Sequence, residues 1–459
     1  MLFILWTGNG GEELDLLKGN VKEIYKKYLL PTVGSALAMS IYSFVDTVAV
    51  GQYAGPSGTA AIAVVNIVYI IMVMIAYLCA TGGSVRYGNA VGRGKVEEGN
   101  CYFTVSVFLC MMITVIAWIV FSIWHRSIFK LFGANKDVLP YAEEYGIWII
   151  RFFPVIVMPD FLSSFLRMDG EPKKAMYAVM IGGSLNIVLD WLLVFPCGLG
   201  VKGAAMATVI GTSLQCVIML SHFWSNKNHY HIVRIRKPFV MLKEILSTGA
   251  SASILDIGNA SLAVLMNNQV GRYGGTAALG VYGVINTLAM LIQAVFAGVG
   301  QTIQPGISVN YGAGFSERTE QLRKQGVRTA LIIGLCIMLI GELFPSGIVS
   351  IFMHATEEVL QVAPTFIRTY FCGFPFMGYC AVMTYYLQST MHRKASTVLA
   401  LGRSVILPVT LLVILPQLFK VMGVYAAVPL SECIAAIITA DGDTRNQQRV
   451  DNKIHFFTH

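Results

Sequence analysis

The sequence predicts an all-α integral membrane protein whose twelve transmembrane helices form two parallel six-helix repeats. Three observations predict it. The chain is 55% hydrophobic and only 13% charged, against about 25% charged in ordinary soluble domains. Apolar stretches long enough to cross a hydrocarbon core about 30 Å thick recur along nearly all of its 459 residues. Finally, the sequence matches itself when slid by 220 positions.

In chain order, residues 1–27 form an N-terminal segment. Its apolar run LFILW has no basic residues before it and no small-residue cleavage site after it, so no cleaved signal peptide is expected. Lys18 to Lys27, KGNVKEIYKK, reads as an amphipathic lead-in at the inner surface. Spans 29–50, 60–86, 101–123, 141–168, 174–196 and 201–224 make an amino lobe over 28–224. A basic linker over 225–240, SNKNHYHIVRIRKP, follows. There His229 and His231 flank Tyr230, and a solvated loop is expected rather than a metal site. Spans 241–270, 276–307, 326–348, 360–388, 395–418 and 421–440 make a carboxy lobe over 241–440. The polar tail 441–459 is expected to be disordered.

Charge distribution sets the orientation. Of 33 Lys and Arg, 24 fall in the N-terminus, the even loops and the tail, and 6 in the odd loops, with Arg151, Arg368 and Arg403 inside helices. That bias expects both ends in the cytoplasm of a cell with an inner membrane. The net charge of +8 is thereby a topology signal, and no nucleic-acid partner is expected. Nine scattered cysteines without a CxxC imply no disulfide or metal framework. No GxxxxGK[ST] phosphate loop occurs, so ATP hydrolysis in this chain does not drive any transport.

The 220-residue shift aligns Gly51 with Gly271, Tyr53 with Tyr273, Gly55 with Gly275, Asn66 with Asn286, Gly92 with Gly312 and Gly203 with Gly423. Each copy holds an even number of helices, so the second enters the bilayer in the same direction as the first. Parallel repeats related by an axis along the membrane normal suit alternating access around a central cleft.

Carboxylates near a bilayer core cost roughly 2.5–3.5 kcal/mol or more and usually face a cavity or partner. Those here are Asp46, Asp160, Asp190, Asp256, Glu342 and Glu432. Counting about 1.5 Å per residue from the turns near Gly55 and Leu199 puts Asp46, Asp190 and Thr208 at one depth, about 13 Å below the outer surface. Asn186 precedes Asp190 by four and shares its helix face. Four oxygen-bearing side chains then converge, and oxygen is what hard cations prefer. Two desolvated carboxylates side by side favour binding a proton or a Na⁺. A hydrogen-bond network tying the first, fifth and sixth helices is the structural alternative. Pro31, fifteen residues before Asp46, either kinks the first helix or opens it.

Taken together, VDTVAVGQYAG, NAVGRGKVEEG with its counterpart NYGAGFSERTE, and LNIVLDWLLVFPCGLGVKGAAMATVIG resemble the multidrug and toxic compound extrusion (MATE) family over about residues 20 to 440. The resemblance implies a V-shaped two-lobe bundle and an antiporter, not an enzyme. It would expel amphipathic, often cationic, organic compounds in exchange for H⁺ or Na⁺, without a cofactor and as a monomer. In the DinF-like branch the cation site joins positions matching Asp46, Asn186, Asp190 and Thr208, with a kink-forming proline matching Pro31. The NorM-like branch uses a seventh-helix acid that Asp256 resembles, yet the tenth helix offers no Asp or Glu to complete that site. Asp256 could instead hold cargo or pair with Arg403. Asn286 and Gln293 are candidate cargo contacts, with helix–helix bonding as their alternative.

Two other readings compete. A lipid-linked oligosaccharide flippase should carry more basic residues in its cleft than Arg151, Arg368 and Arg403. An intramembrane aspartyl hydrolase needs two carboxyls on one water, and its acid is expected in a GxGD-like turn rather than in VLDWL.

Overall fold

The structure, a computed structural model, describes residues 16–235, 237–352 and 356–457. Among them no strand occurs. Spanning segments in a medium without water must satisfy their backbone internally, which long helices do.

Twelve rods follow one another. The first two, Val21–Gly55 and Ala60–Gly92, break at Gly55, whose φ of 62° lies where glycine alone is at ease. Val96–Leu131 is the third. The fourth is bent by 59° between Leu139–Arg151 and Phe153–Met168, where Pro154 removes a helical donor. Pro172–Val194 and Gly200–Leu220 are the fifth and sixth. The seventh and eighth share Pro238–Gly312 and break at Gly275, φ 71°. Ser316–Leu343 is the ninth, trailed by the short Pro345–Phe352. The tenth divides into Glu357–Phe371 and Phe374–Ser389. The eleventh starts at Arg393, carries a π-turn at Gly402–Ile406 and breaks at Lys420, after which the twelfth runs to Phe457.

Among the described residues, eight stretches are long and apolar enough to cross a membrane, or nine with the bent fourth rod. Two of them, Ser261–Gly312 and Arg393–Asp441, continue through the breaks at Gly275 and Lys420. Duplication shows in the backbone as well as the sequence. Gly55 and Gly275 are repeat mates with the same turn, and Lys420, φ 50°, repeats the left-handed turn of Gly200, φ 55°, without a glycine.

Each repeat has its own apolar core. One is built around Val65, Phe129, Phe161 and Ala204, the other around Phe296, Phe366, Phe374 and Val424. The cores trade helix ends. Tyr25 of the first helix belongs to the second core, and its repeat mate Ile245 belongs to the first.

The halves meet backbone to backbone where the second and eighth helices end. A Cβ on Gly92 would collide with the Val309 carbonyl, and one on Gly312 with the Asn89 carbonyl. Val309 and Asn89 are themselves repeat mates, so the contact is reciprocal. Polar bridges reinforce the same end: Asn89 Nδ2 donates to the Ser389 carbonyl (3.1 Å), Arg86 Nε to Thr248 Oγ1 (3.3 Å), and Arg86 Nη1 lies 3.5 Å from Glu244. Asn310 Nδ2 and Arg318 Nη2 hold the Leu16 and Gly19 carbonyls there.

Several expectations change. The lead-in is not a separate surface segment; from Val21 it is the start of the first helix, with Ile24, Tyr25 and Tyr28 buried and Tyr25 in the core of the neighbouring repeat. Pro31 neither opens nor breaks that helix, which begins ten residues earlier and is non-helical only at Gly55. The tail continues the twelfth helix to Phe457. The linker is more than a solvated loop. Tyr230 is buried among Tyr87, Phe103 and Phe165, and Asp169 accepts from His222 Nε2 (2.6 Å) and His229 Nδ1 (2.9 Å).

Candidate functional site

The fifth helix turns its polar residues inward. Val188 and Trp191 are 60% and 63% exposed, whereas Asn186 and Asp190 are 3% and 1% exposed. That is the expected inversion for a helix whose surroundings are lipid. Gly182 and Gly211 let the fifth and sixth helices touch backbone to backbone, which brings Asn186 Nδ2 within 3.4 Å of Thr208 Oγ1. From the first helix Asp46, 7% exposed, enters the same region. There it lies within electrostatic range of Asp190.

Sequence reasoning missed Tyr145. It stands in the first arm of the bent fourth helix, donates to Asp46 Oδ2 at 2.8 Å, and neighbours the Thr208 hydroxyl and Asp190. A tyrosine near the start of an apolar helix ordinarily reads as an interface anchor, so its type carried no signal. Only the 59° bend aims it at Asp46.

Among the described residues, four buried acceptor oxygens find no protein donor: Asp46 Oδ1, Asn186 Oδ1 and both oxygens of Asp190. Buried polar atoms are nearly always paired, and two carboxylates brought together repel. An arrangement of acceptors alone is complementary to a proton or to a hard cation taking oxygen ligands. A cavity of about 460 Å³ bordered by Asp46, Asn66, Tyr69, Tyr145 and Thr208 gives access to it.

The carboxy half differs. Asn286 and Gln293 line a cavity of about 280 Å³ together with Tyr69 and Val73 from the other half. The side chain of Asp256 lies outside those described. Arg403 binds Glu432, through Nε at 3.2 Å and Nη2 at 3.0 Å.

Of the three basic residues expected in the cleft, Arg403 lines a central cavity and the other two do not. Arg151 is exposed and stacks on Trp148, and Arg368 is exposed beside Glu342. Arg167, which the sequence places with the loop cations, is buried on the fourth helix and lines a central cavity with Asp160.

The MatE family model matches residues 31–192 and 257–414. Among curated proteins, the chain is 22% identical to the probable multidrug resistance protein YoeA of Bacillus subtilis, covering 90% of this chain and 91% of that one. It is 21% identical to the multidrug export protein MepA of Staphylococcus haemolyticus, covering 90% of each. With the FAD transporter of Shewanella oneidensis it shares 22% over 92% of this chain and 94% of the other. Among solved structures, an outward-facing multidrug resistance MATE family transporter superposes with a TM-score of 0.88 at 20% identity, covering 95% of this chain and 98% of that one.

Proposed function

Because the chain belongs to the MatE family of membrane transporters, we propose that it is a secondary exporter of amphipathic organic compounds, driven by inward flow of H⁺ or Na⁺ through the amino-half site. Family membership removes the intramembrane hydrolase reading. Asp46, Asn186, Asp190 and Thr208 are the coupling residues, as in the DinF-like branch, and Tyr145 orients Asp46.

One observation carries this reading: one buried oxygen of Asp46 and both of Asp190 have no protein donor among the described residues, and the two acids lie within electrostatic range of each other. Retaining them is costly, and a cation binding there offsets that cost. The ion's effect on shape runs through the first helix. Asp46 sits on it fifteen residues beyond Pro31, where a missing N–H weakens the helical ladder. We assign Pro31 the hinge. The Lys and Arg bias supports an inner-membrane protein with both ends in the cytoplasm.

Proteoliposomes given a pure Na⁺ gradient and then a pure pH gradient test the proposal and name the ion. Export of an amphipathic dye under one gradient is expected, and none under either would reject it. Asn186→Ala and Thr208→Ala each remove one neutral ligand. Each is expected to shift the half-saturating cation concentration by roughly tenfold, the scale of one hydrogen bond to a charge, with full efflux at high cation. Unchanged cation dependence in both variants would make them structural residues only.

A further inference from the structure

We propose that the cavity between the halves takes an amphipathic organic compound bearing a carboxylate or phosphate group, seated on Arg167. This rests on the exporter reading and deepens it by naming the chemistry of the cargo.

Arg167 is the penultimate residue of the fourth helix and only 6% exposed. Its guanidinium donates to the hydroxyls of Ser163 and Ser164. Among the described residues, no carboxylate forms an ion pair with it. Asp160, two helical turns earlier, lines the same cavity and attracts Arg167 electrostatically without forming an ion pair with it. Across the cleft stands Arg403, 8% exposed, its charge already met by Glu432.

Both arginines face one space. Arg167 lines a cavity of about 340 Å³ and Arg403 an adjoining one of about 270 Å³, and the two share Tyr77, Ala294, Ala297 and Gln301 as walls. Tyr385 lies within electrostatic reach of both guanidinium groups.

Taking a cation out of water without a counter-charge costs several kcal/mol. Hydroxyls satisfy donors but supply no negative charge. A planar fork of donors matches a carboxylate or phosphate in a two-bond geometry, and the aromatic and alanine walls suit an apolar ring system. A cargo whose only charge is positive would instead leave Arg167 without an ion-pair partner.

Two xanthene dyes of similar size test this: fluorescein, an anion, and rhodamine 6G, a cation. Fluorescence anisotropy on the purified chain is expected to show at least about tenfold tighter binding of fluorescein, the scale of a charge-assisted bond. Arg167→Gln should weaken fluorescein by a similar factor, Arg167→Lys should restore part of it, and rhodamine 6G should change little. Equal or tighter binding of rhodamine 6G by the unaltered chain would overturn the proposal. So would fluorescein affinity that survives Arg167→Gln. Gradient-driven flux of the same dyes in proteoliposomes reads the exporter function separately. Fluorescein binding without flux would sink the exporter reading and support the seat, whereas flux of rhodamine 6G alone would do the reverse.

Discussion

Asp46→Asn is expected to abolish uphill efflux while the protein still reaches the membrane in near-normal amount. Asparagine keeps the shape and an oxygen for Tyr145 to donate to, so folding loses little. What disappears is one of two negative charges. Coulomb attraction at about 4 Å and an effective dielectric near 20 amounts to about 4 kcal/mol, or roughly three orders of magnitude in ion affinity. At such a loss neither a proton nor a Na⁺ occupies the site at ordinary gradients. Cargo binding should persist, because the central cavity is lined by different residues. Counterflow without a gradient together with binding measures that part. Uphill export by Asp46→Asn at the unaltered rate would show that coupling lies elsewhere.

A second large effect is expected from placing a methyl group on both Gly92 and Gly312. Two known contributions have opposite signs here. Glycine to alanine inside a helix normally stabilises by roughly 0.5–1 kcal/mol. At these positions each new Cβ would enter a carbonyl of the facing helix, and backbone cannot rotate away as a side chain can. The contact between the halves must therefore open, and the doubly substituted chain should lose most of its transport. Spin labels at exposed Lys95 and Phe315, in a cysteine-free background, would read the separation of the two helix ends. A longer distance with lost flux is the expected pair of results. Unchanged distance and full transport would mean that the reciprocal glycine contact has no part in the cycle.

Much of the site was legible because helices are regular. Asn186 and Asp190 are four apart, so they share a face wherever the helix goes. Turn glycines allow depth along a helix to be counted, which is how Asp46, Asp190 and Thr208 were grouped as candidates. The duplication was legible from paired glycines for the same reason, since a left-handed turn or a close crossing demands that residue type. Lys420 shows the limit: it repeats the turn of Gly200 with a side chain that no alignment of glycines would select.

Rotation about the helix axis and bends at breaks were not legible. Tyr145 and Arg167 sit on the two arms of the fourth helix, and the 59° bend between the arms decides what each faces. Read as a line, Arg167 is a cation two residues before a turn, like any positive-inside residue. Packed, it is a buried guanidinium with serine partners. Likewise the pairing of Arg403 with Glu432 depends on how the eleventh and twelfth helices cross.

From the sequence alone came the class of protein, its helical spans, the duplication and the candidate acidic cluster. All of these depend on composition and on distance along a regular helix, which are properties of a line. Tertiary structure alone decided the donor for Asp46, the oxygens left without one, the reciprocal closure at Gly92 and Gly312, and the two guanidinium groups at the cleft. Those depend on which faces meet, a choice made by packing many side chains at once.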